Sequence, residues 1–173
     1  MYPSIDWRRY LLNKTSVQTQ HNLNISGGTK DIRYFISLGF LYQNGLLKQF
    51  EGVGYDNNYK YKRYNYRANL DFDATKTTTL KIGIGGIVGN RNEPMINDAT
   101  NSIWTLINQT TPFSSPGVID GKLIVTPEER FDNKINLGNS ALPKCYGTGY
   151  STAINNTMNL DLLLNQKLDF ITK

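Results

Sequence analysis

Side chains that carry chemistry are few in this chain and poorly spaced for it. There is 1 His and 1 Cys. His21 sits between Gln20 and Asn22 with no Ser or Asp spaced to complete a Ser-His-Asp arrangement, so it reads as a surface residue or part of an aromatic belt. Cys145 follows Pro143-Lys144 in a stretch that reads as loop, and a lone thiol there is structural or incidental rather than nucleophilic. Single copies also exclude zinc ribbons, multi-His metal sites and an internal disulfide. Asp71, Asp73, Asp161 and Asp169 are the carboxylates on offer for acid–base pairs, but strand alternation explains them as members of polar strand faces. The run Gly83-Ile84-Gly85-Gly86-Ile87-Val88-Gly89 has the glycine density of a dinucleotide loop, but it lacks the strand-turn-helix setting such a loop needs. Glycines relieving crowding on a strand face fit it better. Lys60-Tyr61-Lys62-Arg63-Tyr64 interleaves basic and aromatic residues as nucleic-acid surfaces do, and the net charge is +5. Only Arg63 and Arg67 share one strand face there, so nucleic acid is not an expected partner. No catalytic, cofactor-binding or metal-binding set emerges.

These residues must be positioned by strands. The chain of 173 residues holds 20 Asn, 16 Thr and 11 Tyr but only 4 Glu, a mixture poor in helix formers that excludes a helical bundle. Five segments alternate with period two. In Val17 to Ile25 the odd positions read Val, Thr, His, Leu and Ile, and the even positions Gln18 to Asn24 are all polar. In Ile32 to Tyr42 the even positions are all apolar or aromatic, opposite Arg33, Phe35, Ser37, Gly39 and Leu41. Tyr64 to Phe72 sets Tyr64, Tyr66, Ala68, Leu70 and Phe72 against Arg63, Asn65, Arg67, Asn69, Asp71 and Asp73. Thr78 to Val88 and Ile154 to Phe170 repeat the scheme, with Lys81, Gly83 and Gly85 on one polar face and Asn159, Asp161 and Lys167 on the other. Such a period means strands with one apolar and one polar face.

The connections run short, long, short, long: Gly27–Asp31, about 43–60, Ala74–Lys76 and about 91–152. This predicts an all-β, antiparallel up-and-down meander of about five long strands near 17–26, 31–43, 60–73, 77–90 and 153–170. The short turns are expected at one edge with the chain end near Thr172, and the long connections at the other. Short helical pieces are predicted at Asp6–Leu12, in the long loop at Asp98–Ile107 capped by Asp98, and at Thr126–Phe131 with Pro127 at the first helical position. No linker divides the chain into domains. Asn, Tyr and Trp in the long loop suit contact with sugars, though an ordinary polar loop explains them as well.

Alternation leaves two architectures open. In a soluble sheet, such as a β-sandwich carbohydrate-binding module, the apolar face is the core. In an outer-membrane barrel it meets lipid and the polar face lines the lumen. Three features favour the barrel. The alternating segments are as long as the ~9–11 residues a spanning strand needs, the polar face carries mixed charge, and aromatics such as Tyr34, Phe40, Tyr42, Phe72 and Phe170 cluster near strand ends.

The residues Asp6-Trp7, then Gln20-His21-Asn22-Leu23-Asn24-Ile25-Ser26-Gly27-Gly28, then Ile32-Arg33-Tyr34-Phe35-Ile36-Ser37-Leu38-Gly39-Phe40-Leu41-Tyr42-Gln43-Asn44-Gly45, resemble the barrel of SusC/RagA-like TonB-dependent transporters. Lys62–Asp71 and Leu80–Ile84 look like the strands that follow, and 153–170 resembles the family more loosely. The resemblance implies that residues 1–173 are part of a transmembrane barrel of about 22 strands, without the plug, TonB box and signal peptide of the whole protein. It implies import of oligosaccharides or peptides, with a SusD-like lipoprotein and TonB as partners, in the outer membrane, and no enzymatic activity or cofactor. In that setting Arg33, Arg63, Asn65, Arg67, Asn69, Asp71, Lys81, Asn159, Asp161 and Lys167 face the lumen. Ile36, Leu38, Phe40, Leu70, Ile82, Leu160 and Leu162 face lipid.

Overall fold

Alternating side chains become five long strands: β1 (Gln18–Gly28), β2 (Ile32–Asn44), β3 (Lys60–Asp73), β4 (Thr78–Pro94) and, after the long connection, β7 (Tyr150–Gln166). They lie in one sheet in the order β1-β2-β3-β4-β7, the meander that the short and long connections require. The computed structural model describes residues 3–96, 102–124 and 140–168. The expected helix at Thr126–Phe131, the Asp98 cap, Asp169, Phe170 and the chain end at Thr172 lie outside them. β1 and β2 pair antiparallel, with Leu23 opposite Leu38 and Gly28 opposite Arg33. A one-residue slip would carry every side chain to the wrong face.

Both short turns and the end of β7 share one edge of the sheet. Thr29 N–H donates to Ile32 O (2.7 Å) and Thr75 N–H to Thr78 O (3.2 Å), closing the turns. Asp73 N–H donates to Asp31 O (2.8 Å) and Lys167 N–H to Thr77 O (2.8 Å), tying them together. The long connections leave the strands from their other ends.

The chain forms two compact units interleaved in sequence: 18–43, 61–90 and 153–173 make the sheet, and 1–17, 44–60 and 91–152 make the other. The second has its own core. Helix α1 (Trp7–Leu11) begins at Asp6, whose carboxylate accepts from Arg9 N–H (3.1 Å), and buries Trp7 and Leu11 one turn apart. Helix α2 (Ile103–Gln109) is capped by Ser102 and buries Ile103, Leu106 and Ile107 on one face. It starts later than the sequence pattern indicates, because the Ser102 hydroxyl accepts from Thr105 N–H (3.3 Å). Helix α3 (Ala141–Tyr146) corrects the loop expected around Cys145. Pro143 sits in its first turn, where a missing N–H costs little, and Ala141, Leu142, Cys145 and Tyr146 are buried. Between α2 and α3, β5 (Val118–Ile119) and β6 (Lys122–Leu123) pair antiparallel around Asp120 (φ 50) and Gly121 (φ 72). Two successive positive φ values are what a tight hairpin of this length needs, and Asp-Gly supplies them. No helix among the described residues is long and apolar enough to cross a membrane, which says nothing of strands.

Candidate functional site

The sheet presents two chemically distinct faces. On the apolar one, Ile25 stands opposite Ile36 and Leu23 opposite Leu38. His21 stacks on Phe40 with ring centroids 6.4 Å apart, and Phe40 meets Tyr64 of β3 at 5.1 Å. His21 is thus one member of an aromatic row. Tyr66 continues that face onto β4, where its ring covers Gly86. Ile36, Leu38, Leu70, Leu160 and Leu162 are exposed here, Leu162 at 71% and Leu38 at 49%, while Phe40 and Ile82 are half-buried. Leu41, on the opposite face, is the one large apolar side chain of the sheet that is buried among the described residues. The remaining buried apolar residues, Trp7, Leu11, Leu47, Ile103, Leu106, Ile107, Leu142 and Tyr146 among them, belong to the other unit.

The polar face carries a ladder of charge across three strands. Arg33 of β2 donates through Nη1 to Asp73 Oδ2 (3.1 Å), with its Nε 4.0 Å from Asp71 Oδ2; Lys81 of β4 approaches Asp71 Oδ2 from the other side at 3.6 Å. Thr79 Oγ1 donates to Asp73 Oδ1 (2.8 Å). Exposed pairs of this kind are worth only ~0.2–1 kcal/mol each, so the ladder shapes the face more than it stabilises the sheet. It also explains Asp71 and Asp73 without acid–base chemistry, since each carboxylate is matched by cations of neighbouring strands.

Shallow depressions run along this face. One of about 460 Å³ is lined by Arg33, Asn69, Asp71, Lys81 and Asp161. The next, of about 390 Å³, is lined by Ser37, Asn65, Arg67, Gly85 and Asn159. Lys167 lines a third at the turn edge with Asp73 and Thr79. The polar residues singled out in the sequence are thereby brought together, except Arg63. Its Nε is buried with no hydrogen-bond partner among the described residues. Within the 83–89 run the crowding expected of its glycines is found at Gly86 and Gly89, where a Cβ would stand 2.5 Å from the Tyr66 hydroxyl and 3.1 Å from the Tyr61 hydroxyl, but not at Gly83 or Gly85, where it would make ordinary contacts at 3.5 and 3.4 Å.

The other unit is organised by buried amides. Asn58 Oδ1 accepts from Leu47 N–H (3.2 Å), and its Nδ2 donates to Asn44 Oδ1 (3.3 Å). Asn92 Nδ2 donates to both Asp56 O and Asn58 O, each at 2.9 Å. Asn57 Nδ2 donates to Cys145 O. Burial pushes the Cys145 thiol up to about 12, so it stays protonated near neutral pH and is no nucleophile. Among the described residues no three His, Cys, Asp or Glu side chains gather as a metal site would require. What the sequence pattern did not single out is a basic depression beside Trp104, half-exposed on α2, with Arg8, Arg9 and Lys48 around it. Its residues come from three distant stretches, so no local motif announces it.

No family model matches the chain. Along an alignment of 125 positions that covers 64% of the chain, it is 28% identical to the TonB-dependent receptor SusC of Bacteroides thetaiotaomicron, and the match spans 12% of that protein. The similarity is therefore to a short part of a TonB-dependent receptor.

Proposed function

We propose that this chain forms part of the wall of an outer-membrane barrel of a TonB-dependent transporter of the SusC/RagA type. The uncovered apolar face carries the reading. Fully burying a Leu or Ile side chain is worth about 1.5–3 kcal/mol, and whole domains are stable by only roughly 5–15 kcal/mol. Leaving Leu23, Ile25, Ile36, Leu38, Leu70, Leu160 and Leu162 exposed in water would forgo stabilisation of that order. Lipid covers such a face without a second protein layer. The strand lengths support the same reading, since each of β1, β2, β3, β4 and β7 reaches the ~9–11 residues of a spanning strand.

In this arrangement Ile36, Leu38, Phe40, Leu70, Ile82, Leu160 and Leu162 meet lipid. Arg33, Arg63, Asn65, Arg67, Asn69, Asp71, Lys81, Asn159, Asp161 and Lys167 line a polar lumen. The short turns face the periplasm and the long connections face outward. Oligosaccharides or peptides are the cargo, with a SusD-like lipoprotein and TonB as partners. The test is lipid-phase labelling of Leu38→Cys and Ser37→Cys in membranes of the producing cells. Labelling at Leu38→Cys but not at Ser37→Cys is expected. A silent Leu38→Cys, in a protein released without detergent, would overturn the membrane reading in favour of a soluble sheet.

A further inference from the structure

We propose that the unit built from the long connections binds an acidic oligosaccharide, one whose sugar rings carry carboxylate or sulfate groups, at the depression between Arg8, Arg9, Lys14, Lys48 and Trp104. The depression holds about 1040 Å³, just above the roughly 300–1,000 Å³ typical of small-ligand sites, which suits several linked rings better than one.

Its charge is out of balance. Two other cations of this unit are matched by neighbouring carboxylates: Lys60 pairs with Asp56, and Arg91 Nη2 lies 3.1 Å from Glu93 Oε1. Here the one carboxylate, Asp6, is already engaged by Arg9, its Oδ2 3.3 Å from Arg9 Nε and its Oδ1 accepting from Arg9 N–H. Lys48 is held at the rim by its ammonium, which donates to Arg9 O (2.7 Å), and by its backbone N–H, which donates to Leu11 O (2.8 Å). Neither contact neutralises it. Arg8 and Lys14 have no carboxylate partner among the described residues. The site therefore presents about three uncompensated positive charges, and guanidinium groups match planar carboxylates and sulfates bidentately.

Trp104 supplies the other half of the recognition. The neighbouring residues of α2, Ile103, Leu106 and Ile107, are buried, while Trp104 is 50% exposed and turned away from them. An exposed indole beside cations is a platform for the apolar face of a sugar ring, with the charged substituents reaching the Arg and Lys groups. A neutral glycan would leave those cations without partners, so charge selects within the glycan class.

The proposal deepens the transport reading and rests on it for the fate of the glycan, though not for its binding. The experiment titrates the purified full chain with tetragalacturonate and, in parallel, with maltotetraose, following tryptophan fluorescence and heat. Tetragalacturonate is expected to bind at least about tenfold more tightly than maltotetraose, with the difference shrinking at high salt. Arg8→Gln/Lys14→Gln and Trp104→Ala should each weaken it about tenfold. All three residues are exposed, so thermal melting should not move, and this separates lost binding from lost folding. Absent binding of tetragalacturonate, equal affinity for maltotetraose, or unchanged affinity in either variant overturns the proposal. Leu38→Cys labelling reads the membrane placement separately, so either inference can fail while the other stands.

Discussion

The ring of Tyr66 lies across Gly86 of the adjacent strand, so that a Cβ built at Gly86 would stand 2.5 Å from the Tyr66 hydroxyl and 2.5 Å from the carbonyl oxygen of Thr157. An aromatic ring over a bare strand glycine shields backbone that the glycine leaves open. Rotating Tyr66 away would free only one side of the clash, because Thr157 O is backbone of β7. Gly86→Ala should therefore cost ~1–3 kcal/mol in unfolding free energy. Gly83→Ala, whose nearest neighbours stand at 3.5 Å, should be close to neutral. Equal effects of the two substitutions in denaturant unfolding would contradict the packing described.

Charge should be tolerated unequally on the two faces. Leu38→Arg is expected to cost ~2–4 kcal/mol if Leu38 lies near the membrane midplane, whereas Asn69→Arg, beside Asp161 on the polar face, should cost much less. Folding in detergent-to-lipid titrations measures both. A smaller penalty at Leu38 than at Asn69 would exchange the faces.

Asn58 joins the 44–47 segment to its own loop through side-chain hydrogen bonds to Leu47 and Asn44. Asn58→Ala leaves Leu47 N–H, in a buried setting, without its acceptor, at an expected cost of about 1–3 kcal/mol. Amide exchange at Leu47 should accelerate in the variant. Unaltered protection there would show that the bond is dispensable.

Alkaline pH should loosen the unit that holds α3. Burial raises the Cys145 thiol to about 12, and it also raises the Tyr146 and Tyr59 hydroxyls above their ordinary values. The folded state keeps protons that the unfolded chain gives up, first from the thiol near pH 8.5 and then from the phenols near 10. The unfolded state then binds fewer protons, so stability falls as pH rises from about 8 towards 12 and is at its full value below that window. Near-UV circular dichroism followed through melts between neutral and strongly alkaline pH reads this. Cys145→Ala should remove the earliest part of the loss, and a melting temperature independent of pH would refute it.

The sheet was legible in the sequence because its signal is local: a period of two over 11 or more residues needs no knowledge of the rest of the chain. Strands expected near 31–43, 60–73 and 77–90 stand at 32–44, 60–73 and 78–94. The other unit was illegible for the opposite reason. Its core takes Trp7, Leu47, Ile103 and Leu142 from stretches that show no common period. Helix α3 was hidden by Pro143, which reads as a helix breaker unless its place in the first turn is known. The Asp120-Gly121 hairpin did carry a strong local signal, since Asp-Gly is the dipeptide that two-residue hairpin turns favour. The basic depression beside Trp104 needed the tertiary fold, because residues 8, 48 and 104 meet only through it.

The interleaving of the two units dictates an order of assembly. β1 with β2 and β3 with β4 are joined by short turns, and hairpins of that kind close within microseconds. β7 can join β4 only after the stretch from Met95 to Gly149 has been made. That loop is roughly fifteen times longer than the short turns, a difference worth about 2.4 kcal/mol of closure entropy. The same delay holds for the core around Trp7, which is synthesised early yet lacks Leu142 and Tyr146 until late. Until then the edge of β4 that later pairs with β7 stays open, and an open strand edge is a template for strand-to-strand aggregation, so the late arrival of β7 prolongs the exposure of that edge.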